Sequence, residues 1–585
     1  MIYDLPFTIY HLLFWLDTGR PIVNRPGQIV NRRYEQMLSR GTVLHQVRQW
    51  IRAIEAPGSG FNRALLQICA GRPDLRDRAA KMCIRALRTF GEVHGPDRGV
   101  LVIRTAGRVN VLGTHIDHRG GSVNPVAVNH MWLIVAPRDD DLVAARNVES
   151  GQFPDEQFRI RECLPPGAKI DDWDAWCLAE FEKRKGDPSI TWSNYIRAAV
   201  LYLQHLHTDD RGVFTRAIKG MDMVFYGNVP RAVGLSSSSS IVVATAEAVA
   251  RLNSLEISRT DMVRNCGYAE WYVGTRGGSS DHAAIMFAEP NAILHAAAFA
   301  TSVESVPVPE GYSLVLANSR IEAKKQAGAR SAFNSRVAAY IFGLMLIKKQ
   351  FPQYSERLEH LRDVNPDNLG VEESEIYRIV RSLPLSARRE ELLRQLPEDE
   401  QKMRRVFRSH DEPAEGYPIR QVCLYGIAEC IRADMVPQCL HSGDVGRFGA
   451  MMSISHDGDR ATHLLDGRRV PADNSYPDER IDALIYDIES GDPRRMERAR
   501  LWRQGGGYNV SLPELDTLVD IALATPDVAG AKLVGAGMGG CIVAIVRSER
   551  ARELIDAMAE QYYRPRNLFP AAEVITPVGG LHTFD

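Results

Sequence analysis

Four short stretches hold residues whose types and spacing could do chemistry. Gly227-Asn228-Val229-Pro230-Arg231-Ala232-Val233-Gly234-Leu235-Ser236-Ser237-Ser238-Ser239-Ser240 runs directly into the apolar Ile241-Val242-Val243-Ala244-Thr245-Ala246. A Gly/Ser loop that opens a helix aims several backbone N–H groups and the positive end of the helix dipole at one point, which suits a phosphate. The serine hydroxyls add hydrogen bonds and a ligand for Mg²⁺. The loop lacks the Gly-Lys-Ser/Thr ending of a Walker P-loop, so that class is not supported. A serine run on its own also suits a flexible linker, but the apolar helix that follows at once argues against one.

The second stretch, Gly107-Arg108-Val109-Asn110-Val111-Leu112-Gly113-Thr114-His115-Ile116-Asp117-His118-Arg119-Gly120-Gly121, puts two His, one Asp and two Arg into a turn between apolar runs. Polar groups converge on a ligand at such places. His115-Ile116-Asp117 puts the His and Asp side chains on one face of an extended chain, because alternate residues share a face. A zinc site lacks a third ligand at a recognisable spacing. The third stretch is Gly274-Thr275-Arg276-Gly277-Gly278-Ser279-Ser280-Asp281-His282, and the fourth is Gly535-Ala536-Gly537-Met538-Gly539-Gly540. Alone each is weak; order and combination decide.

Elements to position these groups are legible around them. Val100-Leu101-Val102-Ile103, Trp132-Leu133-Ile134-Val135-Ala136 and Met221-Asp222-Met223-Val224-Phe225-Tyr226 read as strands. Trp192-Ser193-Asn194-Tyr195 opens a helix. Lys532-Leu533-Val534 and Cys541-Ile542-Val543-Ala544-Ile545-Val546 read as two strands joined by the glycine turn. The pattern is mixed α and β. Residues 1–90 alternate apolar and Arg-rich segments at helical spacing and read as a helical extension, serving as a cap or an oligomerisation element. Residues 345–420 are charged and helical, and 466–508 are polar, rich in Pro and Gly, and read as an insertion.

The 585-residue chain has a soft prior of roughly three to four domains. At 45% hydrophobic and 25% charged it has the composition of a folded globular protein. With 71 Lys+Arg against 73 Asp+Glu the net charge is -2, so no global field draws in nucleic acid or an anionic membrane. Nine cysteines without a CxxC pair lead us to expect a reducing cytoplasm. The apolar run Ile9–Leu16 is too short to span a bilayer and lacks the basic flank of an export signal.

Taken in order, the four stretches resemble the galactokinase branch of the GHMP small-molecule kinases. Residues 107–121 are similar to that branch's Gly-Arg-Val-Asn and Gly-x-His-x-Asp-x-x-Gly-Gly signature, 227–240 to its phosphate loop, 274–282 to its catalytic-Asp loop, and 535–540 to its C-terminal glycine motif. Weaker matches lie at Ser453-Ile454-Ser455-His456, Leu512-Pro513-Glu514-Leu515-Asp516 and Thr576-Pro577-Val578-Gly579-Gly580. The resemblance runs from about Phe90 to the C-terminus, apart from 466–508. It implies a two-domain α/β (α+β) GHMP kinase fold: an N-terminal domain over 91–300, a C-terminal domain over 301–585, and the active site in the cleft between them.

The implied activity is transfer of the γ-phosphoryl group of ATP, with Mg²⁺, to the anomeric hydroxyl of a small sugar, with no nucleic-acid or membrane partner. The resemblance makes Asp281 the base and Arg108 its electrostatic partner. Gly234, Leu235, Ser236, Ser237, Ser238 and Ser239 then hold the nucleotide. Ser238 and Glu270 are implied Mg²⁺ ligands, although the Glu270-to-Gly274 spacing is one residue shorter than the galactokinase pattern. Thr114, His115, Asp117, Arg276 and Phe333 fall at sugar-binding positions.

The departures concern the sugar. Galactokinases usually carry Glu at the position of Thr114, where it receives the C6 hydroxyl. A neutral Thr tolerates a carboxylate at C6 that Glu would repel, and the 113–118 and 274–278 stretches resemble plant galacturonokinases. Arg119 or Arg276 is then available to a C6 carboxylate. Phe333 stands where a tyrosine is expected, and His282 where Gln is usual. Three readings follow: a sugar 1-kinase for a galactose-like sugar altered at C6, such as galacturonate; an ordinary galactokinase; and a catalytically silent sugar and ATP sensor. The presence of Asp281, Arg108 and the Gly/Ser loop favours an enzyme.

Overall fold

Strands form where the β-branched runs lie, and two of those runs are apolar at every position because both faces of their sheet are covered. The computed structural model describes residues 42–184, 192–231, 233–274, 277–297, 302–322 and 327–585. Arg276 and residues 1–41 of the N-terminal extension lie outside the described residues. The first sheet contains β1 (His45–Gln46), β2 (Gly99–Leu112), β3 (Asn124–Pro137), β4 (Leu142–Asn147), β5 (Glu156–Arg159) and β6 (Met221–Gly227), in the order β1-β2-β3-β6-β4-β5. The C-terminal strand His582–Phe584 also pairs with β2. All these pairs are antiparallel except β4 with β6.

The register explains the unbroken apolar runs. Ile103, Leu133 and Phe225 stand in one cross-strand row, and their neighbours Val102, Ile134 and Val224 stand in the next. Successive side chains alternate faces, so the first row joins the core beneath α4 (Asn194–Leu206) and α5 (Ser237–Leu252). The second row packs with Phe584 against the N-terminal helices α1 (Val47–Glu55), α2 (Gly60–Ile68) and α3 (Pro73–His94). Trp50, Phe61, Leu65, Leu87 and Phe90 bury themselves on that outer face, so the described part of the extension covers the sheet.

A second sheet of β7 (Tyr312–Asn318), β8 (Val528–Leu533), β9 (Cys541–Arg547) and β10 (Ala572–Ile575) runs in the order β8-β9-β7-β10, antiparallel throughout. Its core takes in α7 (Ala327–Gln350) and α8 (Ile419–His441), while α9 (Val445–Asp457) packs along β8. The 466–508 stretch contains helices Asp478–Ile488 and Pro493–Ala499 and buries Tyr476, Ile481, Ala499, Leu501 and Tyr508. Among the described residues, no helix is long and apolar enough to cross a membrane.

One expectation about the 107–121 segment needs correcting. The strand ends at Leu112, and Asp117–Arg119 form a single 3-10 turn, so His115 and Asp117 do not share the face of an extended chain. His115 has a φ of +66°, in the left-handed region, between Gly113 at +86° and Gly120 at +84°. A side chain on Gly113 would run into the Ser122 carbonyl. The turn is therefore a tight knot whose side chains leave in different directions.

Candidate active site

The N-terminus of α5 is built by glycine and by contact between the two halves of the chain. Gly234 has a φ of +86°, and a Cβ there would stand 2.9 Å from the Val534 carbonyl. Gly535 approaches from the other side, where an added Cβ would meet the Gly234 Cα at 2.9 Å. Two glycine loops some 300 residues apart thus pass backbone to backbone, which neither permits with a side chain. Arg108 N donates to the Leu235 carbonyl at 3.0 Å and Ser240 Oγ to the Ala106 carbonyl at 2.5 Å, tying the helix start to β2. Among the described residues, the hydroxyls of Ser237 and Ser238 engage no other side chain, while Ser239 Oγ donates to Glu270 Oε1 at 2.7 Å. His282 Nε2 lies 3.2 Å from that same carboxylate oxygen.

Asp281 sits in the first turn of α6 (Ser280–Phe287), facing the start of α5. Arg108 Nε donates to its Oδ1 at 2.7 Å, and Ser236 Oγ donates to its Oδ2. The Arg108 guanidinium also donates to the Gly234 carbonyl. The guanidinium side chain is 11% exposed and the carboxylate 27%, so the pair lies at the wall of an opening and not in the core. A carboxylate paired with an arginine beside a helix N-terminus can accept a proton from a hydroxyl next to an anionic group.

The 113–121 turn closes the site from the opposite side. Asp117 Oδ2 accepts from Ser280 Oγ at 2.7 Å, and its Oδ1 lies 3.2 Å from His118 Nδ1. Burial pushes the Asp117 carboxyl up, but the His118 and Ser280 contacts outweigh it and hold the group well below the usual carboxylate range. A side chain at Gly278 would collide with Asp117 Oδ2, so the segment leading to Asp281 and the turn are in direct contact. Phe333, on α7, has its ring 6.5 Å from that of His118. His115 points elsewhere: its ring stacks on Tyr508 at 4.2 Å and 14°, and its Nε2 lies 3.6 Å from Asp459 Oδ2. Arg119 is enclosed near Tyr340, Tyr508 and Asp117, its Nε has no hydrogen-bond partner among the described residues, and burial pulls its guanidinium down to about 10.

Thr114 stands in a fully enclosed polar cluster that the sequence reading missed. Glu429, on α8, accepts from the backbone N–H groups of Gly113 at 2.9 Å and Thr114 at 3.1 Å. Lys532, on β8, donates to Thr114 Oγ1 at 2.6 Å and to Ser455 Oγ at 2.9 Å, and stands 3.5 Å from Glu429. Arg432 Nε donates to Glu429 Oε2 at 2.8 Å. Burial pulls the Lys532 ammonium down, with Glu429 acting against it; burial pushes Glu429 up, but Lys532 and Arg432 more than compensate. The available signal was a charge inside an apolar element, as in Ala531-Lys532-Leu533 and Ala428-Glu429-Cys430.

Family models match the same segments. Residues 194–289, which include α5, Glu270 and Asp281, match the GHMP kinases N terminal domain. Residues 484–564 match the GHMP kinases C terminal domain, and 88–138 the galactokinase galactose-binding signature. Both GHMP kinase domains and the galactokinase galactose-binding signature are thus found in this one chain. The chain is 25% identical to the galactokinase of Roseiflexus sp. over 466 residues, 79% of this chain and 88% of that one. It is 24% identical to the galactokinase of Schizosaccharomyces pombe over 506 residues, 79% of this chain and 86% of that one. In fold it is similar to Lactococcus lactis galactokinase complexed with galactose, at a TM-score of 0.54 and 20% identity, covering 85% of this chain and 98% of that one.

The chain is thus a galactokinase-type sugar kinase, a phosphotransferase acting on a small-molecule sugar. GHMP kinases and galactokinases use ATP, generally with Mg²⁺. The residues at the start of α5 fit that pair. The helix start offers hard oxygen donors, the Ser238 hydroxyl and, bonded to Ser239, the Glu270 carboxylate. Among the described residues no group of three or more His, Cys, Asp or Glu could hold a metal ion alone. Mg²⁺ suits such a sparse set because it completes its octahedron with phosphate oxygens and water.

Proposed function

We propose that this chain phosphorylates the anomeric hydroxyl of a galactose-like sugar altered at C6, with galacturonate as the type substrate. Mg·ATP supplies the phosphoryl group and its charge neutralisation. Gly234 to Ser239 would cradle the phosphates, with Ser238 and Glu270 as metal ligands. Asp281 would accept the proton of the attacking hydroxyl. Arg108, 2.7 Å from it, would orient it and offset charge on the phosphoryl group. His115, Asp117 and Phe333 would line the sugar pocket, with Arg119 and Arg276 as cations for a sugar carboxylate.

The observation that carries the C6 reading is at Thr114. Where galactokinases usually have a carboxylate to receive the C6 hydroxyl, this chain has a hydroxyl that already takes a hydrogen bond from the buried Lys532 ammonium at 2.6 Å. An oxygen drawn upon by an ammonium is a poor acceptor for a sugar hydroxyl. Ordinary galactokinase is the second reading, favoured by the match to the galactose-binding signature over 88–138 and by the galactokinase relatives. Incubating the protein with Mg·ATP and galactose, galacturonate, glucuronate, arabinose or a heptose, and following ADP release, separates the two. Fastest turnover on a uronate supports the first; fastest turnover on galactose supports the second.

A further inference from the structure

Behind the turn, one line of hydrogen bonds has only one possible direction. Lys532 Nζ has protons and no lone pair, so at 2.6 Å Thr114 Oγ1 must accept from it. Asp459, fully enclosed, accepts from Tyr425 Oη through Oδ2 at 3.3 Å. Tyr425 therefore spends its only proton on Asp459. The Thr114 Oγ1 to Tyr425 Oη contact, also 3.3 Å, is left with Thr114 as donor. The sequence runs from an ammonium through two hydroxyls to a carboxylate, each dipole aligned with the next, and such chains reinforce themselves in a low-dielectric interior.

The line ends at His115. Its Nε2 lies 3.6 Å from Asp459 Oδ2 and is buried, and among the described residues neither it nor Asp459 Oδ1 has a hydrogen-bond partner. The imidazole is clamped against the Tyr508 ring at 4.2 Å. A bare nitrogen lone pair facing a carboxylate in this enclosed place would be repelled, whereas an N–H there is attracted. We propose that Lys532, Tyr425 and Asp459 are positioning residues that fix hydrogen-bond direction behind the sugar pocket, holding His115 with its proton on Nε2 and its Nδ1 free as an acceptor. The consequence for binding, that His115 selects a sugar hydroxyl donating to Nδ1, rests on the proposed placing of His115 against the sugar.

Ring ¹⁵N shifts of the full-length protein, labelled at histidine and assigned with His115→Gln, read the tautomer without any sugar. The expected result is an Nε2–H imidazole in the wild type and a shift of population toward Nδ1–H in Asp459→Asn. Kinetics on the best sugar should show KM raised about fivefold or more, the order of one lost hydrogen bond, with kcat and the ATP KM within about twofold. Tyr425→Phe keeps the ring and cuts the line midway, so it serves the same measurements if Asp459→Asn does not fold. Combining the two substitutions should add little to Asp459→Asn alone. An Nδ1–H tautomer in the wild type, or His115 shifts unmoved by both substitutions, overturns the proposal. A moved tautomer with an unmoved sugar KM upholds the network and overturns the placing of His115 on the sugar.

Discussion

Thr114→Glu restores the carboxylate that galactokinases usually place there, and the structure sets the size of the effect. Two unit charges 4 Å apart attract or repel by ~4 kcal/mol at an effective dielectric of 20. The new carboxylate would not stand alone, because Lys532 Nζ lies 2.6 Å from the present hydroxyl oxygen. That ammonium is already shared with Glu429 at 3.5 Å, so it offsets only part of the repulsion. A remainder of about 2 to 3 kcal/mol corresponds to a ~30- to ~150-fold loss of kcat/KM on a uronate relative to galactose. The position is only 3% exposed, so bulk has an effect of its own. Thr114→Gln carries that bulk without the charge and should leave the ratio of the two sugars within about threefold. The assay is coupled ADP release on both sugars with all three proteins. If the wild type already prefers galactose to every C6-modified sugar, or if Thr114→Gln shifts the ratio as far as Thr114→Glu, the electrostatic argument fails.

Asp281→Asn keeps the shape facing Arg108 but cannot accept a proton, so turnover should fall by more than about a hundredfold while nucleotide affinity by calorimetry stays within a few-fold; turnover within tenfold of wild type would remove Asp281 from the role of base. Gly234→Val puts a Cβ at a φ of +86° against the Val534 carbonyl; nucleotide binding should weaken at least tenfold by strain and lost approach, and unchanged affinity in a folded variant would return the serine run to a structural role. Acid should destabilise the fold in two windows. Burial holds His410 down to about 4, so between pH 6.5 and 4 the unfolded chain binds the proton that the folded one refuses, and stability falls as pH falls. Glu429 is held below its ordinary 4.5, so its contribution is complete above that pH and is lost as pH drops through the lower folded value. Thermal midpoints measured from pH 7 to pH 3.5 should decline through both windows, and Glu429→Gln should flatten the second; a flat profile would contradict both assignments.

Much of the framework could be read directly from residue order. Val100–Ile103, Trp132–Ala136 and Met221–Tyr226 were legible as strands because β-branched and aromatic residues cluster there, and each lies within a strand of the structure. The Gly/Ser loop could be placed at a helix start because an apolar helix follows without a break. The His115–Asp117 segment was misread as extended because alternation is a strand rule, and the chain here is bent by Gly113 and Gly120 at positive φ.

Sequence by itself determined the local pattern: a Gly/Ser loop at a helix start, an Asp281 at the head of a short helix, a turn carrying Thr114, His115 and Asp117, and the order in which they resemble the GHMP kinases. Those properties depend on neighbours along the chain, and so does the steric demand for glycine within a turn. Tertiary structure alone decided which groups meet. Arg108 reaches Asp281 across 173 residues. Thr114 Oγ1 takes its proton donor from Lys532, 418 residues away, and the Thr114 N–H bonds Glu429, 315 residues away. A charged residue in an apolar strand signals that it is buried and paired, because an unpaired buried charge is too costly. It does not say with what, since the partner is chosen by sheet register and helix packing, which bring remote segments within 3 Å.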